Sequence, residues 1–194
     1  DAYVSGASDD LDVAMRGFGM LIWRIEENAA LLRDLRAWNQ RVPADQRVRF
    51  VGIDVQDAKA CGARLAGLLN ERMPRDAEAV LSISERLDGT VQKMYEGDRT
   101  AYDHLVREAI ELADRVRSEA AQESPQGPSS VELRSVLREF EGGVQMYLTP
   151  GRRDRAMAEM TLGVLEDSGQ NAKIVLWAHN GHVTKSPLRY LGSD

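Results

Sequence analysis

The sequence predicts an α/β fold, a mostly helical chain in which helices cover a small sheet. Two short apolar runs rich in β-branched residues, near residues 47–54 and 173–178, have the length and composition of buried strands. Elsewhere, apolar residues recur at the spacing of amphipathic helices. Two strands do not form a stable sheet alone, so we expect a parallel or mixed sheet that is incomplete in this chain.

The predicted helices follow one another in chain order, and caps or helix-breaking residues delimit most of them. Asp9 and Asp10 cap a short first helix that Gly17 interrupts. Gly142-Gly143 lies inside a helical pattern and indicates a close packing contact or a kink. The polar segment 124–130 is the one clear linker. The longer helices are predicted at 20–40, 57–69, 76–93, 98–122, 131–147 and 153–165.

Length and composition limit the class of protein. The 194 residues, 43% of them hydrophobic, suffice for a single domain with a core over 1–194. A net charge of −6 argues against nucleic acid as a partner, and no apolar run approaches the ~20 residues that span a bilayer. The single cysteine, Cys61, excludes an internal disulfide and is compatible with a reducing compartment, so we expect a cytoplasmic protein without a membrane partner. The oligomeric state is left open.

Two of the three histidines, His179 and His182, follow the second predicted strand directly. Residues past the carboxyl end of a parallel strand line the ligand crevice of open sheets, and imidazole transfers protons near neutral pH. The alternative is that one ring satisfies a backbone carbonyl while the other is solvated. His104 lies mid-helix among charges, and we interpret it as a surface residue without a role.

Asp54 ends the first predicted strand as His179 follows the second. It either faces the same pocket or caps the next helix, a role that Asp57 also suits. Trp23 and Glu27 are predicted to share one helix face at i,i+4 spacing. Either the carboxylate of Glu27 lies beside the indole in a cleft and serves in acid–base chemistry, or Trp23 is a core residue and Glu27 a surface residue. Arg153 either pairs with a buried carboxylate or is solvated.

The sequence offers no recognisable cofactor site. His179-x-x-His182 lacks a third ligand at a recognisable spacing, and zinc sites need three or four. A glycine-rich phosphate loop and a dinucleotide fingerprint are both missing. We therefore expect no metal and no cofactor.

Four segments carry motifs in a fixed order: Trp23 to Glu27 with Arg36 to Asn39 (W-x-x-E-E running into R-x-Y-N), Gly52 to Gln56 (G-x-D-x-Q), Arg153 to Glu159 (R-D-x-x-M-A-E) and Trp177 to His182 (W-A-H-N-x-H). In this order they resemble the motifs of the erythromycin esterase family. Met160 departs from the pattern, because the family usually has Asn there.

The resemblance implies a hydrolase that opens an ester or a macrolide lactone with activated water. His179 and His182 would be catalytic, orienting water, stabilising the oxyanion or protonating the leaving alkoxide. Asp54, Trp23, Glu27, Arg153 and Asn180 would bind substrate or support the site.

The family's motif with the general-base histidine, which would precede this segment, is not found. We therefore expect residues 1–194 to be the central part of a larger domain and to be inactive alone. The alternative is a non-catalytic, or differently specific, ligand-binding domain of the same fold.

Overall fold

The structure, a computed structural model, describes residues 1–122, 128–149, 151–169 and 171–183. These residues form helices and contain no β-strand, so the predicted α/β class is wrong for the described chain. The helices are α1 (Ala2–Ser5), α2 (Leu11–Arg16), α3 (Glu26–Asn39), α4 (Ala58–Leu69), α5 (Pro74–Tyr95), α6 (Thr100–Gln122), α7 (Pro128–Gln145), α8 (Arg152–Ser168) and α9 (Asn180–Val183), with 3₁₀ turns at Leu21–Trp23 and Ala44–Gln46.

The first predicted strand, 47–54, has no regular secondary structure, and its backbone polar groups are partly satisfied by side chains. The side-chain amide of Asn39 donates to the carbonyl of Val48 and accepts from its N–H, both at 2.8 Å. The N–H of Phe50 donates to the carboxylate of Asp1 at 3.1 Å. A side chain thus takes the place of a neighbouring strand, and no ladder forms.

The second predicted strand, 173–178, has no regular secondary structure and no partner strand among the described residues. Its apolar side chains are exposed, with Val175 at 96% and Trp177 at 55%. The strand prediction is wrong for this run, because a strand exists only where a neighbour supplies the ladder of hydrogen bonds.

The predicted continuous helix over 20–40 is also wrong. A 3₁₀ turn ends at Trp23, and Ile25 has extended backbone (φ −109°, ψ 160°) before α3 begins at Glu26. The side chain of Asn28 donates to the carbonyl of Trp23 at 2.7 Å and so stabilises this break. Trp23 and Glu27 therefore do not share one helix face.

The described chain divides into two compact units, Asp1–Gly52 and Ile53–Asp194. In the first unit, Arg36 of α3 donates to the carbonyl of Tyr3 at 3.0 Å and pairs with Asp9. Asn39 donates in addition to the carbonyl of Val4 at 3.0 Å. These buried and half-buried contacts fasten α1 to α3.

The second unit has its core among α4, α5, α6 and α7, all of which contribute fully buried side chains. Tyr102 and Phe140 are the largest of these. The hydroxyl of Tyr102 donates to the carbonyl of Val144 at 2.6 Å and accepts from the N–H of Tyr147 at 3.1 Å. The end of α7 is thereby fixed to α6. Cys61 also packs in this core, and burial raises the pKa of its thiol.

The glycine pair in α7 allows very close packing, which confirms one of the two interpretations of Gly142-Gly143. A Cβ on Gly143 would lie 2.7 Å from Cβ of Ala58 and 2.8 Å from the carbonyl oxygen of Val55. A Cβ on Gly142 would lie 3.0 Å from Cβ of Ala156. The segment that carries Asp54 therefore packs against α7, and α7 packs closely against α8.

Most of the predicted longer helices are confirmed, with shifted ends. The predicted linker 124–130 lies outside the described residues except for 128–130, which belong to α7. A search of the described residues found no helix long and apolar enough to cross a bilayer.

Candidate active site

The first turn of α8 carries two adjacent side chains that bind separate segments of the chain. Gly151 precedes the helix with a φ of +80°, which favours glycine, and the helix begins at Arg152. Asp154 lies in the first turn, where the helix dipole stabilises a carboxylate. Arg153 contacts the 54–56 segment, while Asp154 contacts the 179–182 segment.

Arg153 and Asp54 form a two-pronged ion pair. Nε of Arg153 donates to Oδ1 of Asp54 at 3.0 Å, and Nη2 donates to Oδ2 at 2.7 Å. Nη2 also donates to Oε1 of Gln56 at 2.9 Å. The hydrogen bond with Asp54 raises the pKa of Arg153, so the guanidinium stays charged. The predicted pairing of Arg153 with a carboxylate is confirmed, although Asp54 is 43% exposed rather than buried.

The alternative role of Asp54 as a helix cap is filled by another residue. The side chain of Asp57 accepts from the N–H of Ala60 at 2.9 Å and caps α4. Asp54 is therefore available for its contact with α8.

His182 lies against Asp154, with Nδ1 of the ring 2.6 Å from Oδ1 of the carboxylate. The His182 side chain is 27% exposed and that of Asp154 is 50% exposed. An ionised carboxylate only accepts hydrogen bonds, so Nδ1 of His182 carries the hydrogen. The ring is held by one nitrogen, and no described residue forms a hydrogen bond with Nε2.

His179 is exposed and makes a different local contact. Its Nδ1 accepts from the N–H of Gly181 at 3.1 Å, and its carbonyl accepts from the N–H of His182 at 2.8 Å. The ring thus satisfies a backbone N–H of the short helix α9, not a carbonyl as one interpretation of the sequence held. The centroids of the two imidazole rings are 6.3 Å apart, and the ring planes are inclined at 73°.

Four of the seven predicted site residues, Asp54, Arg153, His179 and His182, meet at or near the first turn of α8. Trp23 and Glu27 belong to the first compact unit, and their part in the site stays a prediction. The side chain of Asn180 lies outside the described part of the structure. His104 is exposed, as predicted.

Two contributors were missed by the sequence interpretation, Asp154 and Gln56. Asp154 directly follows Arg153 in the R-D-x-x-M-A-E motif. Gln56 lies two residues after Asp54 in the same motif. In both cases the signal was a polar neighbour of a residue already singled out.

A cavity of about 410 Å³ lies elsewhere, among α6, α7 and α8, and none of the predicted site residues lines it. Its arginines are paired with acids, as in the contacts of Arg117 with Glu141 and of Arg152 with Glu159. Across the described residues, no three side chains of the His, Cys, Asp and Glu types group as metal ligands would.

The first turn of α8 thus carries an arginine that is paired with one carboxylate, and the next residue is a carboxylate that is hydrogen-bonded to an imidazole. Such an arrangement is suited to acid–base chemistry at a polar centre.

The sequence model of the erythromycin esterase family matches residues 1–194, and the chain belongs to this family, whose name denotes hydrolases. A comparison with curated proteins gave no match, and neither did one with solved structures.

Proposed function

We propose that the protein hydrolyses a carboxylic ester, in particular the lactone of a macrolide, by attack of an activated water molecule. His179 and His182 act on the reacting atoms. Asp54 and Arg153 support this centre, while Trp23, Glu27 and Asn180 contribute to binding of the substrate. Membership of the erythromycin esterase family supports the reaction class.

The observation that carries the proposal is the contact between Asp154 and His182. A carboxylate on one ring nitrogen fixes the orientation of an imidazole and leaves the other nitrogen for proton transfer. A histidine that only stabilised the fold would be expected to pack its ring inside, whereas both rings reach solvent.

The test is hydrolysis by the full-length gene product, followed by mass spectrometry as the addition of one water molecule to erythromycin and to simpler lactones. His179→Ala and His182→Ala should each lower kcat/KM roughly a hundredfold or more, because a proton-transfer or oxyanion contact is lost. The free energy of unfolding should stay within about 1 kcal/mol of the wild type in His179→Ala, whose ring is exposed, and should fall more in His182→Ala, whose side chain is only 27% exposed and is bonded to Asp154.

His104→Ala is the matched control, an exposed histidine on α6, and it should change neither quantity. Lack of hydrolysis by the wild type over the whole substrate panel would overturn the proposal and favour a ligand-binding protein. So would full activity in either of the two site variants.

A further inference from the structure

We infer that His179 and His182 are held in opposite tautomers, so that one is a hydrogen-bond donor and the other a hydrogen-bond acceptor, with Asp154 as the positioning residue. The tautomers follow from contacts within this chain. The division of roles that they imply rests on the proposed hydrolysis. This division of roles selects among the functions that the sequence left open for His179 and His182, namely orienting water, stabilising the oxyanion and protonating the leaving alkoxide.

The tautomer of His179 follows from its contact with a backbone amide. The N–H of Gly181 can only donate, so Nδ1 of His179 must be the unprotonated nitrogen. A neutral imidazole carries one hydrogen, which then lies on Nε2. His179 therefore presents an N–H group, the type of group that stabilises the developing negative charge on a carbonyl oxygen.

The tautomer of His182 follows from the opposite kind of partner. The carboxylate of Asp154 accepts only, and its Oδ1 lies 2.6 Å from Nδ1 of the ring. The hydrogen of the neutral ring is therefore on Nδ1, and Nε2 has a free lone pair. His182 presents an acceptor where His179 presents a donor, on rings whose centroids are 6.3 Å apart.

The two groups can divide the supporting work of the hydrolysis. As the water oxygen bonds to the ester carbonyl carbon, Nε2 of His182 accepts a hydrogen bond from the water and orients it, and the carbonyl oxygen gains charge beside Nε2–H of His179. The water proton passes to the general-base histidine that the family resemblance implies outside this segment, and it returns to the alkoxide oxygen when the bond between carbon and alkoxide oxygen breaks. The products are a carboxylic acid and an alcohol, and both histidines end as they began.

Asp154 does not touch the reacting atoms in this scheme and acts through the ring of His182. Without it, Nδ1 loses its acceptor and the neutral ring is free to place its hydrogen on Nε2, which then no longer accepts a hydrogen bond from the water molecule. The contact also fixes the rotation of the ring about its Cβ–Cγ bond.

Nitrogen NMR of histidine-labelled full-length protein tests the tautomers directly, at a pH where the rings are neutral. Correlations between ring carbon-bound hydrogens and ring nitrogens distinguish the two tautomers, and the single variants at 104, 179 and 182 assign the signals. We expect Nε2–H for His179 and Nδ1–H for His182. The same tautomer in both rings, or the reverse pair, would overturn the inference whether or not the protein hydrolyses an ester.

Asp154→Ala tests the positioning role. We expect the Nδ1–H signature of His182 to be lost, that of His179 to persist, and kcat to fall about tenfold or more with KM little changed. Asp154→Glu, which restores an acceptor, should recover part of kcat. Glu159→Gln, which alters an exposed carboxylate of the same helix that pairs with Arg155, is the control and should change neither spectrum nor kcat.

If Asp154→Ala keeps the Nδ1–H signature or the wild-type kcat, Asp154 is not the positioning residue. If the wild type shows both expected tautomers yet hydrolyses nothing on the panel, the proposed function fails while the assignment of tautomers stands. The two failures are thus distinguishable.

Discussion

Gly143→Ala is the sharpest test of how the segment before α4 is held. The new Cβ would lie 2.7 Å from Cβ of Ala58, 2.8 Å from the carbonyl oxygen of Val55 and 3.1 Å from Cα of Ala58. Two of these three atoms belong to the backbone, and an alanine Cβ cannot rotate away. The clash can be relieved only if α7 moves away from the start of α4.

Gly89→Ala in α5 is the matched control, because a Cβ there would meet nothing within 4 Å. Both substitutions replace glycine by alanine inside a long helix, which alone is worth about 1 kcal/mol in favour of alanine. This gain cancels in the comparison. The difference between the two variants therefore measures the overpacking at Gly143, for which about 1–3 kcal/mol is expected.

Urea denaturation followed by far-ultraviolet circular dichroism measures the difference. At an m-value of about 2 kcal/mol/M, a difference of about 2 kcal/mol separates the two midpoints by about 1 M. Gly89→Ala should unfold at a higher urea concentration than the wild type, and Gly143→Ala at a lower one. Equal midpoints for the two variants would refute the close approach of α7 to Val55 and Ala58.

Two further predictions concern buried hydrogen bonds. Tyr102→Phe should lower the free energy of unfolding by about 1–2 kcal/mol, whereas Tyr95→Phe, at an exposed ring, should leave it unchanged. Burial raises the pKa of Tyr102 from 10.0 to about 12, so the wild type should lose stability as the pH rises through that interval, and a pH series of urea midpoints should show a smaller loss in Tyr102→Phe. Asn39→Ala should cost about 3 kcal/mol in the same assay, because both backbone groups of Val48 lose their partner, while Gln40→Ala should cost less than about 0.5 kcal/mol.

Helices could be predicted from this sequence because their starts are marked by local chemistry. Asp10 accepts from the N–H of Val13 and begins α2, and Asp57 does the same for α4. Asp98 accepts from the N–H of Thr100 just before α6. Capping acts over three residues or fewer, so a short window of sequence contains the whole interaction.

Strands could not be predicted with the same security, because they depend on a distant partner. The run at 173–178 has strand composition, yet no described segment lies beside it to form a ladder. At 47–54 the partners are the side chains of Asn39 and Asp1, which no periodicity reveals. The break in the helix before Glu26, at Ile25, was not predicted either, because apolar residues keep their helical spacing across it.

The candidate site was predictable in its members but not in its pairing. Asp54, Arg153 and His182 were singled out from their positions and motifs, while the contact that orients His182 comes from Asp154, 28 residues earlier in the chain. Spacing alone does not report which carboxylate approaches which ring, because that depends on how α8 packs. Asp154 and His182 lie in two separate motifs of the family, and neither motif indicates that the two residues form a pair.

The attachment of both contacts to consecutive residues has a mechanical consequence. A single helical turn is stiff, so Arg153 and Asp154 cannot be displaced independently. If α8 shifted or rotated at the face that buries Ala156 and Met160, the ion pair with Asp54 and the hydrogen bond with His182 would lengthen together. Substitutions in the core beneath α8 that do not contact the histidines would therefore alter the Arg153–Asp54 contact and the Asp154–His182 contact together. The precision of both contacts depends on how this one helix packs.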